Sequence, residues 1–445
     1  MNRTVKTFFL SFLMIFLGLS AATSSLNESS EITVLEEDND SQEVILSLNL
    51  LNEPGHQEGS IYTDTTLSTG TEQTCAILDN GSVSCWGRGG FGALGNGGTS
   101  NKSTPTLTSS LGAGRTAVAI STGGYHTCAI LDNGSVSCWG AGSSGRLGNG
   151  GTSQKNTPTL TSSLGTGRTA VAISTGGYHT CVILDNGAVS CWGVGSQGRL
   201  GNGGSSQKNT PTLTSSLGTG RTAVALSSGT DHTCAILDNG AVSCWGYGIN
   251  GQLGNGGTYY ARFTPTLTSS LGAGRTAVAL SSGTRHTCAI LDNGAVSCWG
   301  MGSYGELGST GTTDAVPAHL GYQKNTPTLT SSLGTGRTAV AISTGGYHTC
   351  AILDNGSVSC WGRGVSGQLG SPVTITTYFE GPEGGHATPT LTSSLGAGRT
   401  AALSERDLDN DGTLNVFEST SPSLVSCTAG QYGFYMCVED RKSVV

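Results

Sequence analysis

A fifteen-residue unit, His126-Thr-Cys-Ala-Ile-Leu-Asp-Asn-Gly-Ser-Val-Ser-Cys-Trp-Gly140, returns six times along this chain with little change. Its first cysteine falls at Cys75, Cys128, Cys181, Cys234, Cys288 and Cys350, at spacings of 53, 53, 53, 54 and 62 residues. A period of this length points to a stacked or radial repeat, because one copy alone cannot bury its apolar face. The two longer spacings mark loop insertions.

Each copy carries four β-prone pieces. In the second copy they are Thr127–Leu131, Val136–Trp139, Thr157–Thr161 and Ala170–Ser174. Turn residues separate them: Asp132-Asn-Gly134, the run from Gly145 to Gly151, and the run from Ser162 to Gly167. No stretch holds a helical apolar period. Glycine numbers 71 and charged residues only 11%, a composition suited to short strands and tight turns. Four short strands per copy predict an all-β fold, a β-propeller of four-stranded blades. Six repeats are clear, and the propeller is expected to close with six or seven blades.

The hairpin is legible in detail. A three-residue loop puts Gly134 where a positive φ is needed. The strands then pair about Asn133, so Ile130 faces Val136 and Cys128 faces Cys138. Alternation sets all four on one side of the sheet. The cysteines fall at a non-hydrogen-bonded pair, where side chains approach most closely, which allows a cross-strand disulfide. The same arithmetic pairs Cys75 with Cys85, Cys181 with Cys191, Cys234 with Cys244, Cys288 with Cys298 and Cys350 with Cys360. Cys427 and Cys437 repeat the spacing in the tail. Zinc held by His126, Cys128 and Cys138 is the rival reading. Export favours oxidation, since residues 1–22 read as a secretory signal: Arg3 and Lys6, an apolar run from Phe8 to Leu17, and small residues before a cut after Ala22. No other apolar run is long enough to span a bilayer, so no stable membrane span is expected after signal removal.

Residues 23–61 form an acidic linker, with strands expected at Glu31–Leu35 and Glu43–Leu51. The repeats occupy 62–403, and 404–445 form a tail. The formal net charge of −8 argues against a nucleic-acid partner.

The pattern Gly-Tyr-His-Thr-Cys-Ala-Ile-Leu-Asp-Asn-Gly-Ser-Val-Ser-Cys-Trp-Gly, followed by Gly145-Arg-Leu-Gly-Asn-Gly, resembles the regulator of chromosome condensation repeat. It is similar to the exported, alpha-tubulin-suppressor-like microbial branch. The resemblance covers about residues 62–403 and implies a β-propeller, usually of seven blades. Some members are nucleotide exchange factors for a small GTPase, one secreted relative inhibits β-lactamase, and others are binding platforms.

One arginine (Arg115, Arg168, Arg221, Arg275, Arg337, Arg399), one histidine (His126, His179, His232, His286, His348) and one tryptophan (Trp86, Trp139, Trp192, Trp245, Trp299, Trp361) recur at fixed places. Spread around a ring, they cannot converge on one reaction centre. The arginines are expected to satisfy turns, the histidines to be hydrogen-bonded packing groups, and the tryptophans to fill the joints between blades. No nucleophile–base set stands out, so the expectation is a non-enzyme.

Function is expected where copies differ. The residue after Trp-Gly runs Arg88, Ala141, Val194, Tyr247, Met301, Arg363, and the loop after Leu-Gly changes in copies four to six and brings in aromatic and basic residues. Tyr247, Tyr259, Tyr260, Arg262, Phe263, His319, Tyr322, Tyr378 and Phe379 are the candidate partner-binding residues. The tail segment Asp407–Glu418 resembles the calcium loops of EF-hand and dockerin proteins. Asp407, Asp409, Asp411, Thr413, Asn415 and Glu418 stand at its ligand positions, with Gly412 at the sharp turn. One structural calcium ion is expected there. The combined expectation is a secreted or cell-surface module binding an extracellular protein or glycan. An exchange-factor-like regulator and a glycan-active enzyme are the alternatives.

Overall fold

The computed structural model describes residues 66–309, 322–372, 385–395 and 400–401, and the backbone of the strands Ser30–Val34, Leu46–Leu50, Val425–Ala429 and Tyr435–Glu439. The chain divides into two compact units, residues 1–60 and 61–445. In the first, Ser30–Val34 pairs antiparallel with Leu46–Leu50. In the second, six four-stranded antiparallel blades follow one another, and the fold is an all-β, six-bladed propeller. The blades span 67–107, 117–160, 170–213, 223–267, 277–329 and 339–391.

The second blade shows the pattern. Its strands are Ala117–Thr122, His126–Leu131, Val136–Gly140 and Lys155–Leu160, hydrogen-bonded in that order. The middle hairpin has the expected register, with Cys128 opposite Cys138 and Ile130 opposite Val136. Gly134 takes φ 72° and its N–H bonds the Leu131 carbonyl at 2.8 Å, closing the turn. The phase of the blade differs from the sequence reading. Ala170–Thr175 opens the third blade instead of completing the second. It pairs with His179–Leu184 across a tight turn, while a longer loop separates it from Leu160. The fourth strand carries Pro158 and breaks register between Lys155 and Thr159. That strand is the sheet's edge, where a missing N–H and a bulge are tolerated.

The core lies between blades. Cys128, Ile130, Val136 and Cys138 of the second blade pack against Val182, Leu184 and Trp192 of the third. Trp192 is fully buried, and its indole N–H donates to the Arg146 carbonyl at 2.8 Å. Trp139, Trp245, Trp299 and Trp361 each make the same bond to the preceding blade. Gly148 lies against this indole at φ 67°, and any side chain there would collide with Trp192. The inner strands are also joined, Thr175 N–H donating to Ser121 Oγ at 2.9 Å.

All six expected repeat cystines are present. Each pair has Cα atoms 4.1 Å apart, the narrow spacing of a non-hydrogen-bonded site. Cys427 and Cys437 stand opposite each other in the register of the two tail strands. Among the described residues no group of three or more histidines, cysteines or acids is arranged to hold a metal. No helix there is long and apolar enough to cross a membrane.

Candidate binding face

Register brings two columns of the repeat together. Because His126 lies opposite Gly140, the residue before the histidine meets the residue after Trp-Gly. Six backbone bonds of 2.8–3.0 Å record this: Arg88 to Glu72, Ala141 to Tyr125, Val194 to Tyr178, Tyr247 to Asp231, Met301 to Arg285 and Arg363 to Tyr347, each N–H donating to the carbonyl. These contacts define one face of the propeller. The Asp-Asn-Gly turns lie at the other end of the strands.

The two ends differ in chemistry. At the turn end each repeat arginine finds an aspartate: Arg115 with Asp132, Arg168 with Asp185, Arg221 with Asp238, Arg275 with Asp292 and Arg337 with Asp354, at 3.0–3.3 Å. The pairs are exposed and neutral, worth about 0–1 kcal/mol each. They are structural, as expected from their regular spacing; Arg399 lies outside the described residues.

The opposite face has no such regularity. Arg88 bonds Glu72 and lies over Tyr125 at 5.9 Å. Arg146 and Arg199 lie over Tyr178 at 5.0 and 5.5 Å, and Arg199 bonds Asp231 at 2.6 Å. Tyr304 and Tyr347 meet edge to face at 5.4 Å beside Arg363. Phe91 is 48% exposed, packs edge-on against Tyr125, and holds φ 59°. A left-handed conformation is costly for a bulky non-glycine residue. Arg88, Arg146, Arg199, Arg262, Arg285 and Arg363 outnumber the acids Glu72, Asp231 and Glu306 near this face.

The predicted loop residues divide. Tyr247 and Tyr260 meet at 5.7 Å, and Arg262 stacks on Tyr259 at 3.5 Å. Phe263 is exposed. Tyr322 instead packs against the fifth blade's core and donates its hydroxyl to the Ser309 carbonyl at 3.3 Å. His319, Tyr378, Phe379 and the calcium-loop residues lie outside the described residues.

Two columns went unread in the sequence. One precedes the histidine: Glu72, Tyr125, Tyr178, Asp231, Arg285, Tyr347. The other precedes Leu-Gly: Ala93, Arg146, Arg199, Gln252, Glu306, Gln368. Both vary between copies, as the column after Trp-Gly does, and the same comparison would have found them. Glu306 is buried, which raises its pKa to about 8; the Tyr304 N–H bonding its carboxylate at 2.8 Å opposes the shift only in part. In the neighbouring blades Gln252 and Gln368 accept the corresponding backbone N–H through a neutral amide.

Beneath this face the histidines link blades. His126 Nε2 is 2.8 Å from Thr180 Oγ1, and His179, His232 and His286 repeat the contact with Thr233, Thr287 and Thr349. Thr180, Thr287 and Thr349 donate their hydroxyl protons to backbone carbonyls. Each such hydroxyl therefore accepts from histidine, which places the imidazole proton on Nε2. The Nδ1 atoms of His126, His179 and His232 are buried without a partner. Burial lowers the pKa of His126, His232 and His286 to about 3, and of His348 to about 4. His179 is lowered well below its ordinary value, by burial first and then by Arg199 and the neighbouring histidines. His126, His179, His232 and His286 are buried packing groups, and His348 is partly buried.

The chain belongs to the RCC1-like domain family, whose description matches residues 35–404. The human E3 ubiquitin-protein ligase HERC2 is 34% identical over 308 residues, covering 68% of this chain but only 6% of the ligase. The ultraviolet-B receptor UVR8 of Arabidopsis thaliana is 29% identical over 356 residues, covering 70% of this chain and 80% of the receptor. Among solved structures, a chain in the crystal structure of Kap60 bound to yeast RCC1 (Prp20) superposes with a TM-score of 0.65 at 19% identity, over 84% of this chain and 80% of that one. At that identity the likeness shows the fold.

Proposed function

We propose that this protein is an exported, disulfide-stapled propeller that acts as a binding module and not as an enzyme, presenting its arginine–tyrosine face to an extracellular or cell-surface protein or glycan. One observation carries the reading. The turn end holds the same neutral Arg–Asp pair in copy after copy, while at the other end the aromatic and charged residues change around the ring, with only copies two and three sharing a Tyr–Arg set. Scaffold needs account for the first end and leave the second unexplained. Tyrosine and arginine are the residues that dominate binding energy at interfaces. The buried cystines and the signal-like residues 1–22 support export, which separates this chain from a cytosolic GTPase and so from an exchange-factor role.

The test compares two variants of the mature protein for capture on the surface of the producing cells. Replacing Phe91, Tyr260, Arg285 and Tyr347 with serine should reduce capture at least tenfold. Replacing Arg115 and Arg221 with glutamine at the turn end should leave it unchanged. Equal capture by both variants, or loss only in the second, would refute the assignment.

The proposal includes one structural calcium ion in the Asp407–Glu418 loop. Its weak affinity should fall in the range of extracellular modules, about 10⁻⁴–10⁻³ M. Isothermal titration should show a one-site calcium signal that disappears in Asp407→Ala with Glu418→Ala. A signal surviving in that variant places the ion elsewhere.

A further inference from the structure

We propose that Arg146 receives a carboxylate from an acidic peptide segment that also packs on Phe91. The assignment rests on the binding-face reading above and sharpens it to one ligand chemistry.

A row of side chains runs across three blades. Arg88 lies on Tyr125, and Arg146 and Arg199 both lie on Tyr178. The outer arginines each have an acid: Arg88 bonds Glu72, and Arg199 bonds Asp231. Arg199 is held thoroughly. Its Nε and Nη2 donate to Asp231 at 2.9 and 2.6 Å, and its Nη1 donates to the Ser196 carbonyl at 2.6 Å and hydroxyl at 2.8 Å.

Arg146 occupies the same repeat position one blade earlier. The neighbour that supplies Arg199 with its acid is the residue before the next blade's histidine, Asp231. For Arg146 that residue is Tyr178. Arg146 is 8% exposed, its Nε has no hydrogen-bond partner, and it forms no ion pair among the described residues. Burial pulls its pKa down. A guanidinium taken so far from water without an anion is costly, and the cost is relieved by a carboxylate matching its planar fork.

The neighbouring rings decide what carries the carboxylate. A glycan would stack its apolar C–H face on an open tyrosine. Here Tyr178 is covered by Arg146 and Arg199, and Tyr125 by Arg88 with Phe91 at its edge. The free apolar surface is Phe91, held outward in its left-handed turn. A peptide with an acidic residue for Arg146 and an aliphatic one for Phe91 fits this arrangement.

The experiment uses the mature protein and fluorescence anisotropy of a labelled peptide, Gly-Leu-Asp-Glu-Leu-Gly, with its Asn-Gln counterpart and an oligogalacturonate as comparison probes. The acidic peptide should bind, the amide peptide at least tenfold more weakly, and Arg146→Gln should lose about the same factor for the acidic peptide only. Equal binding of the two peptides, or unchanged binding by Arg146→Gln, overturns the assignment. Tighter binding of the oligogalacturonate overturns the peptide occupant. If Arg146→Gln does not fold, the comparison of the two peptides on the unsubstituted protein decides. Loss of cell-surface capture in the face variant together with unchanged peptide binding by Arg146→Gln removes this assignment and leaves the broader one standing.

Discussion

Acidification from about pH 7 to about pH 5 should strip this protein of much of its stability, above the range where ordinary carboxylates titrate. The cause is the histidine row. His126, His179, His232 and His286 are buried and neutral in the fold, and His348 is nearly so. Unfolded, each titrates near 6.5. A base whose folded pKa is depressed contributes stability that is present above its unfolded pKa and lost as pH falls toward the folded value. The window therefore runs from about 6.5 down to about 3 for His126, His232 and His286, and down to about 4 for His348. At pH 5 each contributes a loss of about 2 kcal/mol. Several such losses rival the roughly 5–15 kcal/mol that holds a typical domain. The geometry gives the reason at His126 and His232: a proton added at Nδ1 finds no acceptor, and the Nε2 proton is already committed to threonine. Thermal melting followed by circular dichroism across this range should show the steep fall. His232→Gln should flatten it by about one histidine's share. The first blade supplies the precedent, since Gln73 stands at this position and donates to the Gly123 carbonyl at 3.0 Å. Glu306 works in the opposite direction. Its raised pKa means stability present below about 4.5 and lost as pH rises to about 8. Glu306→Gln should therefore gain about 4–5 kcal/mol above pH 8 and little below pH 5. A melting temperature constant between pH 7 and 5 would contradict the account of the histidines.

Much of this scaffold was legible in the residues because its rules are local. A turn of known length about Asn133 fixes which residues face each other, and from that follow the Cys128–Cys138 bridge and the shared side of Ile130 and Val136. The regular spacing of Arg115, His126 and Trp139 across copies marked them as structural, and each satisfies a turn or joins two blades. The phase of the blade was not legible. Ala170–Thr175 is similar in pattern to any short strand, and its partner is decided by connection length and packing, not by its own residues. The candidate binding face was half legible. Variation after Trp-Gly drew attention to Tyr247, and variation in the loop after Leu-Gly to Tyr260 and Arg262, which do meet aromatic neighbours. Tyr125, Tyr178 and Arg146 were passed over because they adjoin near-invariant His and Leu-Gly. Yet the pairing of His126 with Gly140 already implies that these columns end at one face. Tyr322 shows the opposite error: an aromatic in a long loop can turn back and fill the core.

Reduction of the cystines is the second large effect, and it should occur in two regimes. The repeat cysteines are at most 3% exposed, sealed between the sheets of adjacent blades. Thiol–disulfide exchange needs in-line access to a sulfur, so a reductant in native buffer should leave all six repeat bridges intact. In denaturant the same reductant should open them all, and the reduced chain should refold to a far weaker state. Each bridge closes a loop of separation 10, which in the chain-entropy model is worth about 2–3 kcal/mol. Six such terms approach the stability of a whole domain, even if measured values fall short of the model. The loss should also be distributed. Each of the five joints from the first blade to the sixth contains a cystine packed on the next blade's tryptophan, as Cys128 and Cys138 are on Trp192. Replacing both cysteines of one blade with serine should lower the denaturation midpoint by about one bridge's share, and a second blade's pair, being distant, should add to it. Alkylation with mass spectrometry reads the first regime and denaturant titration the second. Labelling of Cys128 or Cys181 by a native-state reductant would mean the joints open readily. A reduced chain as stable as the oxidised one would mean that apolar packing between blades alone holds the propeller, and would remove the main structural argument for an oxidising compartment.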